Sequence, residues 1–183
     1  MKLLAIGMLW AAALMAAPVI TLDPADGALT GAPAGTVGWG FTLTPDATEW
    51  ITVTGSFLLT ESNPSLGFYG DLIGSQGGPS GGLLPPAPQP DWVQSFDLGL
   101  FTGLGFYSID PFAAPGAINS GTIRILYERF SDDPTTCGDC YLGSGELDAA
   151  FSVTVADNAV PEPSTWLLLP AGTIAILAKR RPV

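Results

Sequence analysis

The two cysteines of this chain stand close together, in the tetrapeptide Cys137-Gly138-Asp139-Cys140. A C-x-x-C pair is typical of a redox centre when it opens a helix in a βαβ unit, but this one follows a predicted strand and precedes no helical pattern. Zinc needs four ligands, and two cysteines in a chain without histidine do not supply them. We therefore expect a Cys137–Cys140 disulfide in a tight loop, with no metal and no other cofactor.

Acidic residues surround this pair in the stretch SDDPTTCGDCYLGSGELD, which ends at Asp148. Calcium is bound by several carboxylate oxygens on a flexible loop that contains glycine. The spacing fits no EF-hand, because the glycine and the glutamate at the twelfth position do not fall in place. We interpret the stretch as one solvated acidic loop, with calcium binding as the weaker alternative. The candidate calcium ligands are Asp132, Asp133, Asp139 and Asp148, with Glu146 beside them.

Aromatic residues offer a further kind of chemistry, the stacking of sugar rings. They lie in or near predicted strands, where aromatic side chains more often belong to the core. A core role is therefore the first interpretation, and carbohydrate binding is the alternative. The candidates for a sugar-stacking face are Trp39, Trp50, Trp92, Phe68, Tyr69 and Tyr107.

The absence of histidine removes several classes of enzyme. Ser-His-Asp and Cys-His triads, imidazole zinc sites and histidine general bases are all excluded. A glycosidase needs only a pair of carboxylates, but acids are so plentiful here that their presence identifies nothing. We predict a protein that is not an enzyme.

The charge is strongly acidic, with a formal net charge of -11. Between Lys2 and Lys179 the only basic residues are Arg124 and Arg129. Because no basic stripe exists to follow a phosphate backbone, nucleic acid is excluded as a partner.

The central part of the chain reads as a series of short strands. Gly 23 and Pro 17 argue against a helical fold, and apolar residues alternate with polar ones, as in Val37, Trp39, Phe41 and Leu43. Six or seven strands predict an all-β fold, an antiparallel β-sandwich that is immunoglobulin-like in size, with a jelly roll or small barrel as the alternative. The predicted strands are TVGWGFTLTP, EWITVTGSFLL, WVQSFDLG, LGFYSIDP, GTIRILYERF and AAFSVTVA.

Residues 74–90, GSQGGPSGGLLPPAPQP, interrupt this series. Glycines make a segment flexible and prolines favour polyproline II. We predict an exposed loop inside a single domain of residues 18–159. The alternative is a linker between two halves, each near the lower size limit for an independent core.

The N-terminus, MKLLAIGMLWAAALMAAPVITL, has a lysine, then an apolar run, then small residues. This order is typical of a secretory signal peptide, and the run is short for a membrane span. The alternative is an anchor that is not cleaved. We assign residues 1–17 to the signal peptide and leave its cleavage site open. Export implies an oxidising compartment, which favours the disulfide.

The C-terminus has a second targeting pattern. An uncharged apolar run from Trp166 to Ala178 is followed at once by Lys179, Arg180 and Arg181. An apolar segment with basic residues behind it predicts a single transmembrane helix whose basic end stops transfer and stays in the cytoplasm. The run barely reaches the length of a membrane span.

Pro161, Glu162 and Pro163 precede this apolar run. Two prolines hold the tripeptide extended, in a form that a peptidase can grip. The whole segment of residues 160–183, VPEPSTWLLLPAGTIAILAKRRPV, resembles a PEP-CTERM sorting signal, which has a Pro-Glu-Pro motif, a short transmembrane helix and a basic end in that order.

The resemblance implies that an exosortase, a membrane-embedded processing enzyme, recognises Pro161–Pro163 and removes the residues from about Ser164 onward. It implies a Gram-negative bacterium, an intermediate anchored in the inner membrane, and a final place at the cell surface or in the extracellular matrix. The expected partners are signal peptidase, the secretion machinery, the exosortase, the membrane and exopolysaccharide. The alternative is a calcium- or carbohydrate-binding, lectin-like module that stays anchored to the inner membrane and faces the periplasm.

Overall fold

A computed structural model describes residues 17–74 and 82–157. In that part of the chain the fold is all-β, as predicted, and contains no α-helix. The only helical element there is one 3-10 turn, Pro64–Leu66. The strands are β1 (Val19–Asp23), β2 (Ala28–Gly31), β3 (Thr36–Thr44), β4 (Trp50–Glu61), β5 (Gly67–Asp71), β6 (Leu83–Leu84), β7 (Trp92–Gln94), β8 (Gly105–Ile109), β9 (Ile118–Phe130) and β10 (Tyr141–Val155).

The strands form two five-stranded sheets. In the first sheet the order is β1-β3-β8-β5, with β7 also paired to β3, and every pair is antiparallel. In the second the order is β2-β10-β9-β4-β6. Its β2–β10 pair is parallel, so the antiparallel prediction is wrong for this pair. The chain passes from the first sheet into the second after β1, and β2 then runs in the same direction as the last strand.

The two sheets share one core, in a sandwich-like arrangement. Trp39, Phe41 and Leu43 of β3 are all 0% exposed, because the alternation of the strand puts them on one face. The ring of Trp39 meets that of Phe151 from the other sheet edge to face, with centroids 5.6 Å apart. Burial of side chains of this size contributes about 1.5–3 kcal/mol each, so the facing aromatics hold the layers together.

The structure corrects two of the predicted loops. Leu83 and Leu84, inside the predicted loop of residues 74–90, form β6 with both side chains buried. The predicted acidic loop ends at Cys140, because Tyr141 already begins β10. The register of β10 against β9 places Asp148 opposite Arg124, and this charge pairing favours a strand there.

The loops gather at two ends of the sandwich. The end that we call the distal end consists of residues 45–49, 85–91 and 131–140. The other, which we call the exit end, consists of residues 32–35, 62–66 and 110–117 together with the last residues of β10. The described chain leaves the fold at the exit end, where Val155 and Ala156 donate backbone hydrogen bonds to Ala117 (2.8 Å) and Gly31 (2.8 Å).

Candidate binding groove at the distal end

A cavity of about 570 Å³ opens at the distal end. This volume lies within the usual range for ligand sites. Leucine, valine and proline side chains form part of its lining. The other lining residues are Trp50, Gln89, Asp91, Trp92, Asp133 and Thr135. We call this cavity the groove.

Two tryptophans reach the groove because each begins a strand at the distal end. Trp50 begins β4 opposite Phe130, and its side chain is half-buried. Trp92 begins β7 opposite Leu43 and is 5% exposed. The ring of Trp92 rests edge to face on Phe41, with centroids 4.9 Å apart. The core therefore fixes the indole of Trp92, while part of Trp50 stays accessible.

One wall of the groove is residues 85–91, which are fastened to the neighbouring turn. Ala87 N donates to the carbonyl oxygen of Asp46 at 2.8 Å. The buried carboxylate of Asp46 in turn accepts hydrogen bonds from Thr48 N at 2.7 Å and Glu49 N at 3.0 Å. These bonds hold the turn in shape, so Gln89 and Asp91 stand at fixed places on the exposed rim.

The opposite wall is residues 131–140, which contain the predicted disulfide. The structure joins Cys137 to Cys140, and Ser131 N closes the base of the loop on Cys140 O at 2.9 Å. The Oδ1 atom of Asp133 accepts from both Thr135 N (2.9 Å) and Thr135 Oγ1 (2.7 Å). The disulfide loop thereby places Asp133 and Thr135 on the rim.

The groove is acidic and leaves polar atoms unused. Its lining includes two carboxylates and no lysine or arginine. Within residues 17–74 and 82–157, the buried side-chain atoms without a hydrogen-bond partner are Trp92 Nε1, Gln94 Oε1 and Arg129 Nε. All three belong to strand residues next to the distal end. Arg129 does pair through another nitrogen with Glu49 at 3.4 Å.

The predicted aromatic residues do not form one face. Trp39 and Tyr107 are fully buried in the core, which confirms the core interpretation for them. Phe68 is exposed on β5, and Tyr69 is held by Ser56 Oγ at 2.7 Å. Among the six candidates only Trp50 and Trp92 line the groove.

The predicted calcium ligands are separated. Asp148 lies within β10, where its two carboxylate oxygens accept from Arg124 Nε and Nη2 at 2.8 Å each. The guanidinium holds the pKa of Asp148 below its usual value. Glu146 pairs with the same arginine at 2.5 Å. The prediction of one acidic loop is therefore wrong for Glu146 and Asp148, and no group of three or more possible metal-binding side chains occurs in the described residues.

The exit end has a different polar cluster, centred on Asn119, which is 0% exposed. Its Nδ2 donates to Tyr107 OH and to Glu61 Oε2, both at 2.9 Å. Its Oδ1 accepts from Asn63 N at 2.8 Å. Burial raises the pKa of Tyr107, and the hydrogen bond with Asn119 offsets part of that rise.

The predicted targeting residues lie outside the described part of the chain. In residues 17–74 and 82–157, no helix is long and apolar enough to cross a membrane. The signal peptide and the C-terminal helix therefore remain predictions. The site residues that they involve are Pro161, Glu162, Pro163, Lys179, Arg180 and Arg181.

Sequence patterns did not identify three residues of the groove: Gln89, Asp91 and Thr135. The available signal was the position of Trp50 and Trp92, each directly after an acidic residue at the start of a strand. No protein-family model matches the chain, and no curated protein is significantly similar to it.

Proposed function

We propose that this is an exported, non-enzymatic protein of the cell surface or extracellular matrix of a Gram-negative bacterium, associated with exopolysaccharide. An exosortase-type enzyme processes it at Pro161-Glu162-Pro163. The observation that carries the proposal is the order of the C-terminal parts: the Pro-Glu-Pro motif, then the apolar run, then Lys179 to Arg181.

The fold is compatible with loss of the C-terminal segment. Val155 is buried, and both Val155 and Ala156 are hydrogen-bonded to neighbouring strands or loops. The sorting motif begins only a few residues later, at Pro161. Cleavage after the motif leaves every described strand and its hydrogen bonds in place, so the immunoglobulin-sized sandwich survives processing.

A lectin-like module that stays anchored to the inner membrane is the second candidate. The groove favours it, because a cavity with two indoles and free polar groups is a binding feature. The two candidates share the body and differ in the fate of residues 164–183.

The intact mass of the protein recovered from its host separates the candidates. We expect the wild-type chain to lack the residues after about Pro163. The variant Glu162→Gln removes the motif's charge at nearly constant shape, and we expect it to retain Lys179 to Arg181. The control Thr165→Ala lies just beyond the motif and should be processed like wild type. Recovery of wild-type protein with its basic end intact would refute processing and favour the resident anchor.

A further inference from the structure

We infer that the groove binds an uncharged polysaccharide chain. Its apolar surface stacks on the sugar rings, and its rim accepts hydrogen bonds from their hydroxyl groups. The inference deepens the proposed function, on which it depends only for the choice of exopolysaccharide as the natural ligand.

The apolar part of the groove suits a pyranose ring. The ring presents C–H groups with partial positive charge, and the face of an indole is negative. Trp50 lines the groove and is only half-buried, so part of this residue is accessible to a ligand there. Trp92 is packed on Phe41 and keeps the neighbouring surface rigid. A rigid platform loses little conformational entropy on binding.

The rim supplies hydrogen-bonding groups that the fold does not use. Neither the Gln89 amide nor the Asp91 carboxylate has a side-chain partner within the described part of the chain, and both residues are exposed. Asp133 uses Oδ1 for Thr135, which leaves Oδ2 for a ligand. A carboxylate accepts strong hydrogen bonds from hydroxyl donors, and an amide both donates and accepts.

The charge of the groove selects against other polymers. Asp91 and Asp133 stand on the rim without a lysine or arginine beside them, and the whole chain has a net charge of -11. Polyuronates, sulfated glycans and nucleic acids are repelled by this field. A neutral hexose polymer avoids the repulsion and still brings a hydroxyl donor on every ring.

A proline-rich peptide is the other class of ligand that stacks on tryptophan. Proline has no backbone N–H, so a proline-rich chain would cover Asp91 and Asp133 without supplying donors. Burial of an unpaired carboxylate is unfavourable. The acidic rim therefore favours the glycan.

The place of the groove agrees with this role. It lies at the distal end, while the described chain leaves the fold at the exit end beside Val155. The groove and the point where the described chain leaves the fold are therefore at opposite ends of the sandwich.

Affinity electrophoresis of the full chain tests the inference. Native gels are cast with hydroxyethyl cellulose, galactomannan or dextran, in a polyoxyethylene detergent that has no sugar headgroup. The acidic protein migrates by its own net charge, whereas a neutral polymer does not move in the electric field. Slower migration in the presence of the polymer therefore reports binding. We expect retardation by at least one neutral glycan, no retardation by alginate, and little change in 0.5 M salt, since charge screening affects only charged ligands.

Two variants locate the site. Trp50→Ala should weaken binding about tenfold or more, and Asp91→Ala, an exposed position without described partners, should weaken it about tenfold. Phe112→Ala is the control, because Phe112 is 94% exposed at the exit end, and it should bind like wild type.

Several results would overturn the inference. They are the absence of retardation by all three neutral glycans, equal retardation of wild type and Asp91→Ala, and binding that salt abolishes. A tryptophan fluorescence change with decaproline but with no glycan would assign the groove to a peptide instead. None of these results depends on the mass of the host protein, so failure here is distinguishable from failure of the processing proposal.

Discussion

The two ends of the sandwich differ in whether the buried polar groups near them have hydrogen-bond partners. At the exit end, the buried amide of Asn119 uses both its nitrogen and its oxygen in hydrogen bonds. In the strands next to the distal end, three side-chain atoms are buried without partners in the described residues: Trp92 Nε1, Gln94 Oε1 and Arg129 Nε. Folding alone favours the first arrangement. The second departs from that rule, and one of its three residues, Trp92, also lines the groove.

Two tryptophans also differ in whether the indole N–H has a hydrogen-bond partner. Trp39, in the centre of the core, donates its indole N–H to Gly27 O at 2.9 Å. Trp92, below the groove, has the same donor and no described acceptor. Both rings are packed edge to face on a phenylalanine. Edge-to-face packing is therefore common to both tryptophans, and the hydrogen bond of the indole N–H distinguishes them.

The largest expected effect is at the exit end. Asn119→Ala removes the partner of Tyr107 OH, Glu61 and Asn63 N. Buried groups that lose a partner cost about 1–3 kcal/mol each, so we expect a loss of about 3 kcal/mol in the free energy of unfolding, measured by urea denaturation. Ser120→Ala, next to it and exposed, should change stability by less than about 0.5 kcal/mol. A loss below about 1 kcal/mol for Asn119→Ala would show that the cluster is not a stabilising feature.

A matched pair of substitutions compares the two indoles. Trp39→Phe leaves the carbonyl oxygen of Gly27 without its donor and opens a space in the core, and we expect a loss of about 2–3 kcal/mol. Trp92→Phe also opens a space, but it removes a buried donor that has no described acceptor. Removal of the unpaired donor offsets part of the packing loss, so the expected net loss is below about 1 kcal/mol. Urea midpoints of both variants give the comparison. Equal losses would mean that the N–H of Trp92 is satisfied and that the contrast between the ends is false.

The smallest expected change in stability is at Asp148, which lies midway between the ends on the exposed face of the second sheet. The hydrogen bonds from Arg124 lower the pKa of Asp148. A carboxylate whose pKa is lower in the folded state stabilises the fold at pH values above its unfolded-state pKa, which is about 3.9. This contribution is lost as the pH falls through the folded-state pKa. Asp148→Asn should therefore slightly lower the urea midpoint at pH 7 and have a smaller effect at pH 2. An equal effect at both pH values would contradict the assignment.

Sequence patterns predicted the long strands because each has one buried and one open face. Trp39, Phe41 and Leu43 are buried as their alternation requires, and so are Phe151 and Val153. The strands β1, β2 and β5 were not predicted. They are short and contain glycine or aspartate, and their pairing depends on partners far along the chain, such as Val19 with Thr44 and Gly67 with Ile109.

The groove could be predicted only in part. Trp50 and Trp92 were recognised as candidates for sugar stacking, but their common location follows from two long-range pairings, with Phe130 and with Leu43. Gln89 and Asp91 lie in or beside a proline-rich stretch whose composition indicates only a loop. A hydrogen bond from Ala87 to Asp46 positions them, and no local pattern encodes that contact.

The last strand has a mechanical consequence. β10 extends from Tyr141, next to the disulfide loop that forms one wall of the groove, to Val155 at the exit. A domain gripped by polymer at one end and pulled by its C-terminal tail at the other is loaded along the axis of this strand. Because β10 pairs with β9 over nearly its whole length, and ladder hydrogen bonds run across the strands, such tension shears these bonds together instead of unzipping them one at a time. The pairing of β10 with β9 therefore resists a pull applied along the axis of the last strand.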